Sequence, residues 1–402
     1  MSKVPSSERS SRWSSHGLGF LSLILLLGLG LRIISVSSPY FVDGPAHVHA
    51  IETGTLFIQP PGYFLFNWCG LFISRITDLS AARAVIVMNI SFSEVGLVCF
   101  ALLSRRRLRE LDALFITACF AVSPMLWFIA DIHSTYAAMS FFAPLLFLSF
   151  EEWNSIELGT VFWALMMGFR PSDGVFALPW VVWQSLRYPW FSRLRGMICA
   201  LLGVSLWWIP TARHFGSLLA PIISSRTQVR GLAHGVLAGQ HSAHALLDQV
   251  RVLTGMLLGW GLLLPFACWA ISVCSWRSRP LFSILLWTLP GLGFFCLYYV
   301  ADPVYVAYFL GPGLLAAALW LSMKGIRLRI PLYLVSTTVC LVYMLTAQPV
   351  SGTSKVVPVL NAYLFKFSCW SLQHRYAPRL ATLVGACGQT GVQGLCDVST
   401  PP

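Results

Sequence analysis

The sequence predicts an all-α polytopic membrane protein, and three observations predict it. Of 402 residues, 56% are hydrophobic and only 10% charged, with a mean hydropathy of +0.71; soluble domains carry about 25% charged residues. Runs such as GLGFLSLILLLGLGL (17–31) and VLTGMLLGWGLLLPFACWAISVC (252–274) approach or exceed the roughly 20 apolar residues that span a bilayer. Basic residues, finally, come in clusters at the ends of such runs.

Taken in order, the spanning candidates are 17–36, 82–103, 113–130, 134–150, 156–169, 174–187, 196–210, 252–274, 281–300, 304–322 and 330–346. No A-x-A-like cleavage site follows the first, which is read as a retained anchor. The basic clusters are Lys3/Arg9/Arg12, Arg105–Arg109, Arg187/Arg193/Arg195, Arg277/Arg279 and Lys324/Arg327/Arg329. Placing all of them in the cytoplasm satisfies the positive-inside rule with about 11 crossings (range 10–13). The expected division is a cytoplasmic segment 1–16, a membrane domain 17–346 and a short outer tail 347–402. The net charge of +12 is accounted for by these clusters, and no nucleic-acid partner is expected.

That count requires PGYFLFNWCGLFISRI (61–76) not to cross, because a crossing would put the Arg105–Arg109 cluster outside. The stretch is short and opens at a Pro-Pro-Gly break, as befits a juxtamembrane helix in one outer loop, about 37–81. A long outer loop is expected at about 211–250. Eight of the eleven cysteines lie in apolar segments as small packing residues. Cys387 and Cys396 could form a disulfide if the tail meets an oxidising compartment.

Unusual polar residues collect on the outer side: Asp43, His47, His49 and Gln59, then Asp131 and His133, Arg170 and Asp173, Arg213, His241 and His244, Asp302 and Tyr305. Ionisable groups at membrane level are costly and often functional. Each also has a plain reading. Asp43 could cap the helix that starts at Gly44-Pro45, and Asp131 could cap the helix after it. Asp43, His47 and His49 could ligate a metal, although no second cluster has ligand spacing. FRPSDG (169–174) could be a polar hairpin tip, and His241 and His244 a solvated helix face.

The order of these pieces resembles the GT-C superfamily of integral-membrane glycosyltransferases, in particular its protein O-mannosyltransferase-like and aminoarabinose-transferase-like members. A first helix is followed by an outer-loop acid (Asp43), PPGY (60–63), and ARAVIVMNISFSEVGLVCFALLSRRRL (82–108). FIADIHSTY (128–136) matches the second acidic loop, GFRPSDGVFALP (168–179) the basic residue before a proline-bearing helix, and YVADPVYVAYFLGPGLLAAALWL (299–321) the late tyrosine-bearing segment. Here Gly44-Pro45, not a second acid, follow Asp43, and Gln59 stands where a His or Glu commonly precedes Pro-Pro. Only 347–402 follow the last span, so the large C-terminal domain of some relatives is not expected.

The resemblance implies inverting transfer of a sugar from a polyprenyl-phosphate donor to a lipid, glycan or protein acceptor on the outer side of the membrane. Asp43 is the expected general base, and Asp131 is expected to orient the acceptor or share the base role. Arg170, then Arg213, is expected on the donor phosphate, with His47, Gln59, Tyr63, His133 and Tyr305 contacting substrate. No cofactor is required and a divalent metal is left open. The site would be periplasmic in a bacterial inner membrane and lumenal in an ER membrane. A secondary transporter, whose ionisable groups sit near midplane in repeated halves, and a flippase or ligase are the rival readings.

Overall fold

In lipid every backbone polar group must be satisfied within its own segment, so these apolar runs fold as helices. The computed structural model describes residues 13–34, 43–58, 60, 62–231, 252–253, 255–298 and 303–346, and among them there is no strand. Gln59, His241, His244, Asp302, the tail and its Cys387–Cys396 pair lie outside the described residues.

The helices are α1 (Ser15–Ile34), α2 (Gly44–Thr53), α3 (Phe64–Thr77), α4 (Ala81–Arg107), α5 (Glu110–Ala121), α6 (Pro124–Asp131) and α7 (Ala137–Phe147, ending in a π turn, Leu148–Glu152). They continue with α8 (Ile156–Phe169), α9 (Pro171–Ser185), α10 (Trp190–Phe215) and α11 (Ala220–Gly231). The last four are α12 (Gly255–Cys274), α13 (Arg279–Leu297), α14 (Leu310–Leu321, entered through a 3-10 segment, Pro303–Phe309) and α15 (Ile326–Thr346). Among the described residues six helices are long and apolar enough to cross a bilayer, and α5 with α6, bent by 49°, make a seventh if they are one span. The chain is an integral, multi-pass membrane protein.

Three sequence expectations change. The candidate span 113–130 is broken at Val122-Ser123-Pro124, where Pro124, with no N–H to give to the preceding turn, starts α6. Asp131 closes α6 and does not cap α7, which begins after Tyr136. The loop expected from 211 starts later: α10 runs to Phe215 and α11 occupies 220–231.

The Val304–Leu321 segment is 83% buried, whereas Ser15–Ile33 and Trp190–Phe215 are only 22% buried. The first therefore runs through the core, and the other two leave Leu23, Leu26, Leu201, Leu202, Trp190 and Phe191 exposed on outward faces. Close approach of helices rests on small residues. Gly96 on α4 lies against the Ser140 backbone of α7, and Gly203 on α10 against Ala164 of α8.

Charged side chains join helix ends at one end of the bundle. Arg107 pairs with Glu152 at 2.9 Å and also with Glu151, which further accepts from Gln184 and Ser283. Arg329 pairs with Asp112 at 2.9 Å, Arg195 with Glu157 at 3.0 Å, and Arg105 with Glu110 at 3.6 Å. The candidate site lies at the opposite end.

Candidate active site

Arg170 sits between α8 and α9, with φ −146° and ψ 93°. Pro171 excludes the residue before it from helical geometry and then starts α9, where its missing N–H costs nothing. The break turns the guanidinium inward, where it is 6% exposed. Its Nε donates to Asp173 Oδ2 at 2.8 Å and its Nη1 to Thr135 Oγ1 at 3.2 Å. It lies 4.1 Å from the Tyr136 ring centroid and 5.9 Å from that of Tyr305, within cation–π range.

The expected pieces converge on this cation. Tyr305 comes from the 3-10 entry to α14, packs against Tyr136 at 5.8 Å and stacks on Phe295 at 4.6 Å. Tyr63, at φ 51°, leads into α3 and lies edge-on to His47 at 5.6 Å, within electrostatic range of Arg170. His47 is buried against Phe66, and its Nδ1 is 2.7 Å from Asn67 Oδ1. The Asn67 amide in turn donates to Leu56 O at 2.9 Å, so the imidazole donates at Nδ1. Burial pushes His47 down to about 4, against the upward pull of the Asn67 hydrogen bond, and the charge of Arg170 adds to the lowering.

His133 is also buried, and its Nε2 donates to Ala82 O at 3.1 Å. Burial pushes this imidazole down to about 4 as well, so both histidines are neutral at physiological pH. Gly44 packs on His133: a Cβ at position 44 would stand 3.2 Å from His133 Cβ. The close approach brings the start of α2, and Asp43 with it, onto the loop after Asp131.

Asp43 is half-buried, and its carboxylate makes no cap bond to α2. Its contribution to that helix is backbone: the carbonyl accepts from His47 N at 3.0 Å. Asp131 is fully buried, within electrostatic range of Arg32. Arg32 pairs with Glu94 at 2.6 Å and donates to Ala121 O at 3.2 Å, satisfying a carbonyl at the α5–α6 break. Arg213 is exposed in the last turn of α10, and nothing among the described residues joins it to Arg170. That turn does pack near the α3 entry, with Gly62 against Thr211 and Phe215 and Phe57 stacked on His214 at 4.1 Å.

The metal ligation considered for Asp43, His47 and His49 is not assembled, since Asn67 holds His47 and His49 faces outward. No group of three His, Cys, Asp or Glu among the described residues could share a metal ion. Thr135, Tyr136, Asn67 and Asn89 carried no sequence signal of their own, and Arg32 and Glu94 were not singled out from the sequence either. For Arg32 and Glu94 a signal existed, namely an ionisable group inside an apolar run.

Two crystal structures of ArnT from Cupriavidus metallidurans share this architecture, one bound to undecaprenyl phosphate and one in the apo state. Their TM-scores are 0.63 and 0.61 at 13% identity, covering 95% and 96% of this chain and 74% and 75% of theirs. At this identity the likeness shows a shared fold, a GT-C-like bundle of membrane helices. The archaeal oligosaccharyltransferase AglB from Archaeoglobus fulgidus, whose structure holds an inhibitory peptide and a dolichol-phosphate, aligns with 90% of the chain and 56% of its own at TM-score 0.48 and 14% identity. No family model and no curated protein matches the sequence. The likeness thus rests on three-dimensional arrangement.

Proposed function

We propose that the protein is a glycosyltransferase that moves a sugar from a polyprenyl-phosphate carrier to an acceptor hydroxyl or amine on the outer side of the membrane. The observation that supports it best is the meeting, at one end of a GT-C bundle, of Asp43 with the loop beside a buried, tyrosine-lined Arg170. The ArnT structure with undecaprenyl phosphate makes a carrier of that chemical class the first donor to test.

In this reading Asp43 accepts the proton of the acceptor as the acceptor's oxygen or nitrogen bonds to the anomeric carbon. The bond from that carbon to the phosphate oxygen breaks, and its electron pair leaves with the polyprenyl phosphate. One displacement inverts the anomeric centre. Arg170 stabilises the growing phosphate charge, because a guanidinium has five donors in a fixed fork. Asp173 and Thr135 use two of them, Tyr136 also bonds the group, and the phosphate takes what remains. Asp131 and His133 line the acceptor side, and His47, Tyr63 and Tyr305 shape the sugar pocket.

Asp43→Asn tests the base. Asparagine caps a helix about as well as aspartate, and the carboxylate does not cap here, so folding and donor binding should persist. Turnover should fall by roughly 10²-fold or more, measured as carrier release with a panel of polyprenyl-phosphate sugars. Retention of most of the activity would move the base role to Asp131.

A further inference from the structure

The loop carrying Asp131 and His133 is fastened by a residue to which the reaction above gives no role. Asn89 is fully buried on α4, and both hydrogens of its amide go to that loop. Its Nδ2 donates to Ile132 O at 2.7 Å and to Ser134 O at 2.9 Å, the two carbonyls that flank His133. Between the end of α6 and the start of α7 these carbonyls have no helical ladder to join, and a buried unpaired carbonyl is costly. The third point is His133 Nε2 on Ala82 O at 3.1 Å. Residues 82 and 89 are seven apart, hence on one face of α4. One helix face is a template for the whole turn.

The template has a consequence at the other ring nitrogen. With Nε2–H directed at a carbonyl, Nδ1 carries the lone pair. Nδ1 is buried and has no hydrogen-bond partner among the described residues. It is two bonds from the Cβ that packs on Gly44, the residue after Asp43. A buried acceptor left without a donor is a place where a ligand's O–H or N–H is stabilised.

We propose that Asn89 is a positioning residue: by holding the carbonyls on either side of His133 it aims Nδ1 at a second hydrogen-bond donor of the acceptor, beside the group that Asp43 deprotonates. The inference rests on the glycosyltransferase reading. It names the acceptor as carrying two donors, the O–H or N–H that Asp43 deprotonates and a second, the other N–H of an amine or a neighbouring hydroxyl, that Nδ1 accepts. Asn89→Asp keeps the shape and removes both donors, and Asn89→Leu removes the polar group.

The test uses the full chain in lipid nanodiscs, with the polyprenyl-phosphate sugar panel and a second readout that needs no turnover, diethyl pyrocarbonate labelling of His133 read by peptide mass spectrometry. Both Asn89 variants should lower kcat by roughly 10- to 100-fold, the range a slightly misplaced group produces, with donor KM within about two-fold. His133, protected in the wild type, should become labelled. In Asn89→Leu/His133→Ala the loss should be no greater than in His133→Ala alone, the mark of two residues acting through one contact. Losses that multiply, or an Asn89→Asp variant with normal kcat and a protected His133, overturn the proposal. A wild type that transfers no sugar from any donor fells the reaction assignment and the positioning role together, an outcome distinct from an active wild type with indifferent Asn89 variants.

Discussion

At the scale of single residues, Arg170 shows how a local break is turned into a site. Its sequence context marks it, since a guanidinium before Pro171 interrupts two apolar runs. What the context does not show is that Asp173, Thr135, Tyr136 and Tyr305 surround it. Asp173 is one helical turn away, but the other three come from segments joined only by packing. The pairing also decides which substitution is informative. Arg170→Ala would leave Asp173 buried without its cation, a loss of about 3–5 kcal/mol that confounds any binding measurement. Arg170→Lys keeps the charge and loses the fork. Donor affinity should fall about 10-fold, in line with losing a hydrogen bond to a charged group, as read by donor KM or equilibrium binding of the carrier phosphate. Unchanged affinity would exclude Arg170 from the donor site.

At the scale of elements, the short helices and breaks place the chemistry. α3 has 14 residues and is about 21 Å long, less than the roughly 30 Å hydrocarbon core, and we propose that it does not cross. The α5–α6 bend ends in Asp131 and the α8–α9 break in Arg170, so proline supplies both. The seam of α4 with α7 determines where the loop between those breaks can lie. At Gly96 a Cβ would come within 2.4 Å of Ser140 O and 2.6 Å of Ser140 C, backbone atoms that cannot turn aside. Gly96→Ala should therefore destabilise by about 1–3 kcal/mol or more, seen as a lower Tm in detergent. Gly30→Ala, on α1 with nothing within 4 Å, should be neutral or slightly stabilising. Equal effects of the two would refute the close seam.

At the scale of the whole molecule, the basic clusters and the candidate site occupy opposite ends of the bundle. We propose that the basic end is cytoplasmic, by the positive-inside rule, with the tail beyond 347 on the outer side. An impermeant thiol reagent applied to intact cells should then label a cysteine placed at 355 and spare one at 106. The opposite pattern would reverse the membrane orientation and move the site to the cytoplasmic face.

Composition and periodicity determine by themselves that this chain is a bundle of membrane helices, because lipid accepts almost no other backbone arrangement for such runs. The prolines and isolated charges also mark Asp43, Asp131 and Arg170 at segment ends, since a charge or a break in an apolar run is visible without any partner. The partners were decided only by tertiary structure. Asn89 and Asn67 look like ordinary polar residues in apolar helices until the loops they hold are folded against them, and Arg32 finds Glu94 sixty-two positions away. Arg213 also stood at the end of an apolar run, yet packing leaves it exposed. A hydrogen bond between distant segments has no periodicity to read, and it exists only once the helices have been brought side by side.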